Sequence, residues 1–213
     1  MDDRRTVTVT GLGVALSTPD GAIASLAAET TGEDPGAALF ACSVASNAMV
    51  EAALAAGVRR SAVQTTGLSL QPNWEHHRDE PRVVGYLARS ALTLGAEEVG
   101  EMGLVLTAVV AAGGEAARVH GVSLVVGDPA AAMASAREAA FADARSKAEQ
   151  YAALADARLG PLLSVHEDGH GGLPRSIRPA RQAEALFAAV SIEPGESQLA
   201  VQVTAVWQLL PGS

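Results

Sequence analysis

The stretch DPAAAMASAREAAFADARSKAEQYAALADARLG, residues 128–160, predicts the longest helix of the chain and decides the class of fold. Asp128 and Pro129 suit a helix start, because aspartate accepts hydrogen bonds from the free N–H groups of the first turn and proline fits the first helical position. Gly160 suits the cap after the last turn, and Pro161 stops the helix from continuing.

One face of this helix is expected to pack closely against a sheet. Small and apolar residues recur there at steps of three and four, namely Met133, Ala136, Ala140, Ala144, Ala148, Tyr151 and Ala155. Because most of them are alanine, another layer can approach the helix closely. On the opposite face, Asp143 and Lys147 are four residues apart, as are Arg145 and Glu149, so each couple can form an ion pair.

Alternating and capped segments elsewhere predict the order β-β-α-β-β-α-β-α-β-β, which is typical of an α+β fold. We expect one mixed, mainly antiparallel sheet with the long helices packed on one face, in a single domain spanning 1–213 with its core at 6–210. The first two strands are expected to form a hairpin, and residues 71–82 a loop between the third and fourth strands. The predicted strands are 6–11, 22–30, 63–70, 83–94, 118–126, 162–167, 190–192 and 199–210, and the other helices are 34–56 and 97–112.

The last strand, 199–210, lacks proline, glycine and charge, so it would be hazardous at an exposed edge. We therefore expect it to be central in its sheet or paired across a subunit boundary. The three glycines and two prolines between residues 168 and 179 predict a mobile loop, which we extend to about residue 188.

The composition excludes several classes of partner. The chain has 213 residues with a net charge of −9, which argues against nucleic acid and against an anionic membrane surface. A single cysteine, Cys42, allows no intrachain disulfide. No apolar stretch reaches the length of a membrane span. The amino terminus shows no apolar run followed by a cleavage site, so the sequence predicts no signal peptide. We expect a cytoplasmic protein, or a periplasmic or secreted one if a signal peptide has been removed.

His166 and His170 form the sharpest candidate for chemistry. They are four residues apart with acids between them, which would suit zinc or nickel if the segment were helical, but the glycines around them argue against a helix. The chain has no nucleophile elbow, no phosphate-binding loop and no Cys-x-x-Cys pair. We expect a non-enzymatic protein with no catalytic residue and no cofactor. The alternative is a metal-binding protein or a metal-dependent hydrolase that uses His166 and His170.

A series of short motifs runs along the chain: VTVTGLG at 7–13, PDGA at 19–22, QT at 64–65, LQP at 70–72, GYLA at 85–88, HGVSL at 120–124, DP at 128–129, KA at 147–148, LG at 159–160, LSVHE at 163–167 and IEPGE at 192–196. In their order and spacing these motifs resemble those of the SIMPL-domain family, which includes bacterial periplasmic immunogenic proteins and a protein linked to oxidative-stress defence. The resemblance implies an α+β fold and ring-like or channel-like homo-oligomers, and it implies no established catalytic residues. Members usually carry a secretory signal, and an aromatic that follows their Leu-x-Pro step corresponds here to Trp74.

Together these observations favour a non-enzymatic, oligomeric scaffold or binding module with a stress-related role. A second alternative, a partner-binding adaptor, comes from a mammalian relative in the family that is associated with signalling kinases. Trp74 lies among polar residues of a predicted loop, so it is a candidate anchor for a subunit interface. The other interpretation is that Trp74 folds back over its own sheet, and the sequence leaves both open.

Overall fold

The computed structural model describes residues 5–77, 80–167, 175–176, 192–193 and 195–212. Contacts divide the chain into two compact units, the first made of residues 1–18, 128–179 and 195–213 and the second of residues 19–127 and 180–194. The elements are β1 Thr6–Ser17, β2 Gly21–Gly32, α1 Pro35–Ala55, β3 Val63–His77, β4 Glu80–Ala96, α2 Val99–Gly113, β5 Ala117–Val125, α3 Ala130–Leu154, β6 Ala157–Glu167, β7 Arg175–Ser176 and β8 Ser197–Pro211.

The α+β class is confirmed, but the prediction of one sheet is wrong, because the described strands form two antiparallel sheets. The expected hairpin of β1 and β2 is wrong for the same reason. β1 pairs with β8 over its whole length, whereas β2 lies between β4 and β5 in the other sheet. A two-residue alternation shows which face of a strand is buried but does not identify the strand beside it.

The first unit is a sheet in the order β1-β8-β6 with α3 packed on one face, and the short β7 also pairs with β8. Of the two positions expected for 199–210, the central one is therefore confirmed. Alternate β8 residues, Val201, Val203, Ala205 and Trp207, are buried with the alanine face of α3. That face consists of Ala136, Ala140, Ala144, Ala148 and Ala152, while Tyr151 and Ala155, which we expected there, are exposed.

The helix α3 ends six residues before the predicted cap at Gly160. Its last residue is Leu154, and Asp156 takes a left-handed conformation with φ of 50°. Aspartate tolerates that region better than most residues, so it can end a helix where glycine is expected. Gly160 instead lies in β6, where a Cβ atom would come 2.9 Å from the carbonyl oxygen of Gln208. Pro161 falls at an irregularity in the β6–β8 ladder, a place that tolerates its missing N–H group.

Two glycines of β1 let α3 lie directly on the strand. A Cβ atom at Gly11 would meet the carbonyl oxygen of Ala140 at 2.1 Å, and one at Gly13 would meet the carbonyl oxygen of Ala136 at 1.9 Å. The backbones of strand and helix are therefore in contact with no side chain between them. This approach explains why both the strand and the helix carry their smallest residues on the shared face.

The second unit is a sheet in the order β3-β4-β2-β5, with α1 and α2 on one face. The helix α1 starts as predicted: the Asp34 side chain accepts a hydrogen bond from the Ala37 N–H at 2.9 Å, and Pro35 follows the cap. It ends before Gly57, whose φ of 101° suits glycine. The core consists of Ala, Leu, Met and Val from both helices and from β2 and β4.

Residues 71–82, predicted to be a loop, lie mostly in the paired strands β3 and β4. The two strands run together up to the pair of His77 and Glu80, so the second unit carries a long hairpin arm. Pro72 was one reason for predicting a loop. In the structure it lies in an edge strand, where proline is tolerated. Residues 168–174 and 177–191, where we expected a mobile loop and most of the strand at 190–192, lie outside the described residues.

Two described helices have the length and apolarity of membrane spans, contrary to the expectation from sequence. They are Pro35–Ala55, with a mean hydropathy of 1.5, and Val99–Ala116, with 1.3. Both pack one face onto the sheet of the second unit, and core helices meet the same two criteria. Of the two apolar windows 28% and 39% are buried, so the core accounts for only part of their hydropathy.

Candidate functional site

His166 lies in β6 opposite Thr204, in extended rather than helical backbone. The neighbouring Glu167 is held by Arg137 of α3, whose Nε and Nη2 groups donate to its two carboxylate oxygens at 2.8 and 3.2 Å. Because successive strand residues point to opposite faces, Glu167 cannot turn its carboxylate toward a metal bound at His166. His170 lies outside the described residues, so its pairing with His166 stays a prediction. Within the described ranges, no three His, Cys, Asp or Glu side chains gather as a metal site.

A cavity in the second unit, lined in part by Glu29, Thr30 and Arg118, has a volume of about 450 Å³. Glu29, on its wall, lies 3.3 Å from Arg89 Nε and 3.4 Å from Arg118 Nε. Arg118 also donates to two backbone carbonyl oxygens, and the Thr30 hydroxyl donates to that of Ala38. These polar groups link strands and a helix to one another. Nothing in their arrangement resembles a nucleophile with its base.

Cys42 is a buried residue of α1 and does not have the setting of a reactive thiol. Its Sγ atom donates a weak hydrogen bond to the carbonyl oxygen of Ala28 at 3.4 Å. Burial raises the pKa of the Cys42 thiol, so the thiolate is disfavoured. Nearby, the Ser46 and Ser90 hydroxyls hydrogen-bond each other at 3.0 Å. Both contacts join α1 to the sheet.

Trp74 belongs to a row of apolar side chains that we call the β3 stripe, formed by Leu68, Leu70, Pro72 and Trp74. Because they alternate along β3, they share one face of the strand. Leu68, Leu70 and Trp74 are 63%, 42% and 54% exposed. The β4 partners of Leu70 and Leu68 are Ala88 and Ser90, which are buried beneath the helices. The stripe therefore continues the core face of the sheet beyond the helices that cover it.

Two backbone groups on the edge strand β1 of the first unit are hydrogen-bonded to side chains of α3. Asp143 accepts a hydrogen bond from the Leu12 N–H at 2.8 Å, and Lys147 donates to the carbonyl oxygen of Thr10 at 3.0 Å. The same two side chains form the predicted ion pair at 2.7 Å, and Arg145 pairs with Glu149 at 2.9 Å as predicted. Edge backbone that is hydrogen-bonded in this way is not available for pairing with another strand.

The two paired carboxylates of the first unit predict a loss of stability in acid. Hydrogen bonds from Lys147 and the Leu12 N–H lower the pKa of Asp143, and Arg137 lowers that of Glu167. A lowered folded pKa gives stability that is fully present above the unfolded value, about 4, and is lost as pH falls through the folded value. We therefore expect Asp143→Asn/Glu167→Gln to lower Tm at pH 7, with the difference from the parent disappearing toward pH 2.

Thermal unfolding followed by circular dichroism from pH 7 to pH 2 measures this difference. Glu138→Gln, which neutralises an exposed acid on the same helix, serves as the control and should leave the pH profile close to that of the parent. An unchanged gap in Tm across the whole range would show that neither carboxylate acts through its charge.

The first unit is an antiparallel sheet with one helix on a face and the second is an antiparallel sheet with two, so the units define an α+β protein, and one of its exposed apolar surfaces is on the hairpin arm. The family model described as SIMPL, protein of unknown function (DUF541), matches residues 7–207, so the chain belongs to that family. This confirms the resemblance drawn from the sequence motifs.

The chain is also similar to the 26 kDa periplasmic immunogenic proteins of Brucella melitensis biotype 1 and Brucella abortus strain S19. Each is 29% identical over 216 residues, which cover 95% of this chain and 84% of the relative. Both names place those relatives in the periplasm. They give no support to the expectation of a cytoplasmic protein.

Proposed function

We propose that this protein is a non-catalytic, self-assembling module that serves as an oligomeric scaffold or binding surface. The observation that carries the proposal is the hairpin arm of β3 and β4, which exposes Trp74 beside two leucines in a mainly polar stretch of sequence. The described candidates for chemistry, by contrast, are dispersed. Glu167 and Glu29 are engaged by arginines, and Cys42 is buried.

The physical reason for assembly is the apolar area of the arm. Burying apolar surface stabilises a contact by about 25 cal/mol per Å². Aromatic side chains such as tryptophan dominate the binding energy of many interfaces. Trp74 is about half exposed in the single chain, so a partner can cover the rest of its ring.

The place of action that we propose is the periplasm or another compartment outside the cytoplasm. The support is the similarity to two proteins whose names call them periplasmic, over nearly the whole of this chain. A role in stress protection is the most specific part of the proposal, and it rests on the family resemblance.

Self-assembly predicts that the protein has a mass well above the 21.6 kDa of one chain at micromolar concentration. We expect Trp74→Ala to shift it toward smaller species, because the substitution removes the largest exposed apolar side chain of the arm. Light scattering coupled to size exclusion measures both masses.

Tyr151→Ala is the matched control, since Tyr151 is a similarly exposed aromatic, at 56%, on α3 of the first unit. It should leave the mass unchanged. A parent protein that elutes as a monomer would refute the proposal. If the Trp74→Ala variant forms an equally stable oligomer, Trp74 is not part of the interface.

A further inference from the structure

We infer that the β3 stripe is the docking surface for a second copy of this chain, with two stripes packed face to face around a two-fold axis. The inference rests on the proposed self-assembly and adds the surface and its symmetry. It concerns the row Leu68, Leu70, Pro72 and Trp74 together with Val83, which pairs with Trp74 across the hairpin.

The β3 stripe lies on the core face of its sheet but is exposed. In the same sheet face, Ala88 and Ser90 of β4 are buried by α1, while their direct partners Leu70 and Leu68 are exposed. Residues 64–75 are all exposed in the described structure, so the apolar face is one strand wider than its helices. A surface that covers this exposed face has to be uncharged and apolar.

Charge favours a second copy of this chain as the partner that provides this surface. In a two-fold contact, residues near the axis meet their own copies, so any charge there repels itself. The chain contains 24 acidic and 15 basic residues, yet residues 63–74 contain none of them and no histidine. The first charge beyond the stripe, Glu75, pairs in register with Arg82, of opposite sign. Of the other edge strands, β5 carries Arg118 and His120, and β6 carries Arg158 and Glu167. The edge strand β1 is also uncharged, but its backbone at Thr10 and Leu12 is already hydrogen-bonded to α3.

The geometry favours packing through the face of β3 rather than through its edge. The β3–β4 register shifts between Thr65 and Gly67 and again between Asn73 and Trp74, and Pro72 lacks an N–H group. Such irregularities discourage the addition of another strand at an edge. The face is continuous over the six residue steps from Leu68 to Trp74, a span of roughly 20 Å, and two such faces pack at about 10 Å. In an antiparallel arrangement Leu70 then lies near the axis.

A charge exchange at Leu70 tests the inference. Leu70→Lys and Leu70→Glu each place like charges close together across the axis, so each variant alone should lose the contact and show a smaller mass by light scattering. An equimolar mixture should regain the parental mass, because Lys and Glu then face each other. Leu104→Lys on α2 is the matched control, since Leu104 is 62% exposed in the same unit, and it should assemble as the parent does. Melting curves of all variants confirm that each is folded.

The outcomes separate the two proposals. A monomeric parent would overturn both self-assembly and this surface. A parental oligomer that both Leu70 variants retain would overturn the surface and leave self-assembly standing. Two dispersed variants that do not recover on mixing would refute the two-fold arrangement, because a stripe that packs on some other surface gains nothing from the opposite charge at its own position.

Discussion

Gly13→Ala is expected to destabilise the protein by more than about 3 kcal/mol, beyond the usual range for overpacking. The added Cβ atom would lie 1.9 Å from the carbonyl oxygen of Ala136 and 2.4 Å from the Ala140 nitrogen. Both are backbone atoms of α3, so no side chain can rotate away. The helix would have to leave the sheet, which would open the core between Ala140 and Val203. Gly11→Ala is expected to act in the same direction.

Urea unfolding of Gly13→Ala beside Gly121→Ala measures the effect. Gly121 is also a strand glycine, but a Cβ atom there would meet nothing within 4 Å, so its replacement should cost little. If Gly13→Ala unfolds at the same urea concentration as the parent, α3 does not rest on β1 as the structure shows.

The helices could be predicted well because their signals are local. Asp34 caps α1 as expected, and the step of four residues from Ala136 to Ala148 correctly identified the buried face of α3. The end of α3 could not be predicted in the same way. Gly160 and Pro161 are a strong stop signal, but Asp156 had already turned the chain into β6. The choice between two stop signals depends on the β6–β8 pairing, which is a long-range contact.

The glycines of β1 show how a sequence signal can have the opposite meaning in the fold. A glycine in a strand pattern suggests a weak strand, and from the sequence Gly11 and Gly13 gave β1 an end at residue 11. In the structure β1 continues to Ser17, and the glycines are where the helix approaches. Nothing in the spacing of β1 alone reveals this, since the cause is the alanine face of a helix more than a hundred residues away.

The candidate surface could be predicted only in part. Trp74 was identified as an aromatic among the polar residues of a predicted loop, although the structure places it in β3. Leu68 and Leu70 were missed because apolar residues of a strand are expected to be buried. Their exposure depends on where α1 and α2 lie across the sheet. The sequence also could not show that Asp143 and Lys147, predicted to pair on the solvent-exposed face, also bond the backbone of β1 at Leu12 and Thr10.

Ala144→Leu is expected to cost about 1–3 kcal/mol by overpacking. Ala144 is fully buried in the middle of the α3 face, and its Cβ atom lies 2.7 Å from the position that a Cβ atom on Gly11 would occupy. Three added carbons therefore meet the backbone of β1. A leucine side chain can still turn along the groove between strand and helix, so the cost should be smaller than that of Gly13→Ala.

Ala142→Leu on the same helix separates packing from helix propensity. Ala142 is exposed, so its replacement changes only the small intrinsic preference between two good helix formers. We expect its unfolding midpoint to stay near that of the parent while Ala144→Leu unfolds at lower urea. Equal losses in the two variants would mean that propensity alone is being measured. A Gly11→Ala/Ala144→Leu double variant should then lose less than the sum of its single variants, because both act on the same contact and the helix needs to move away only once.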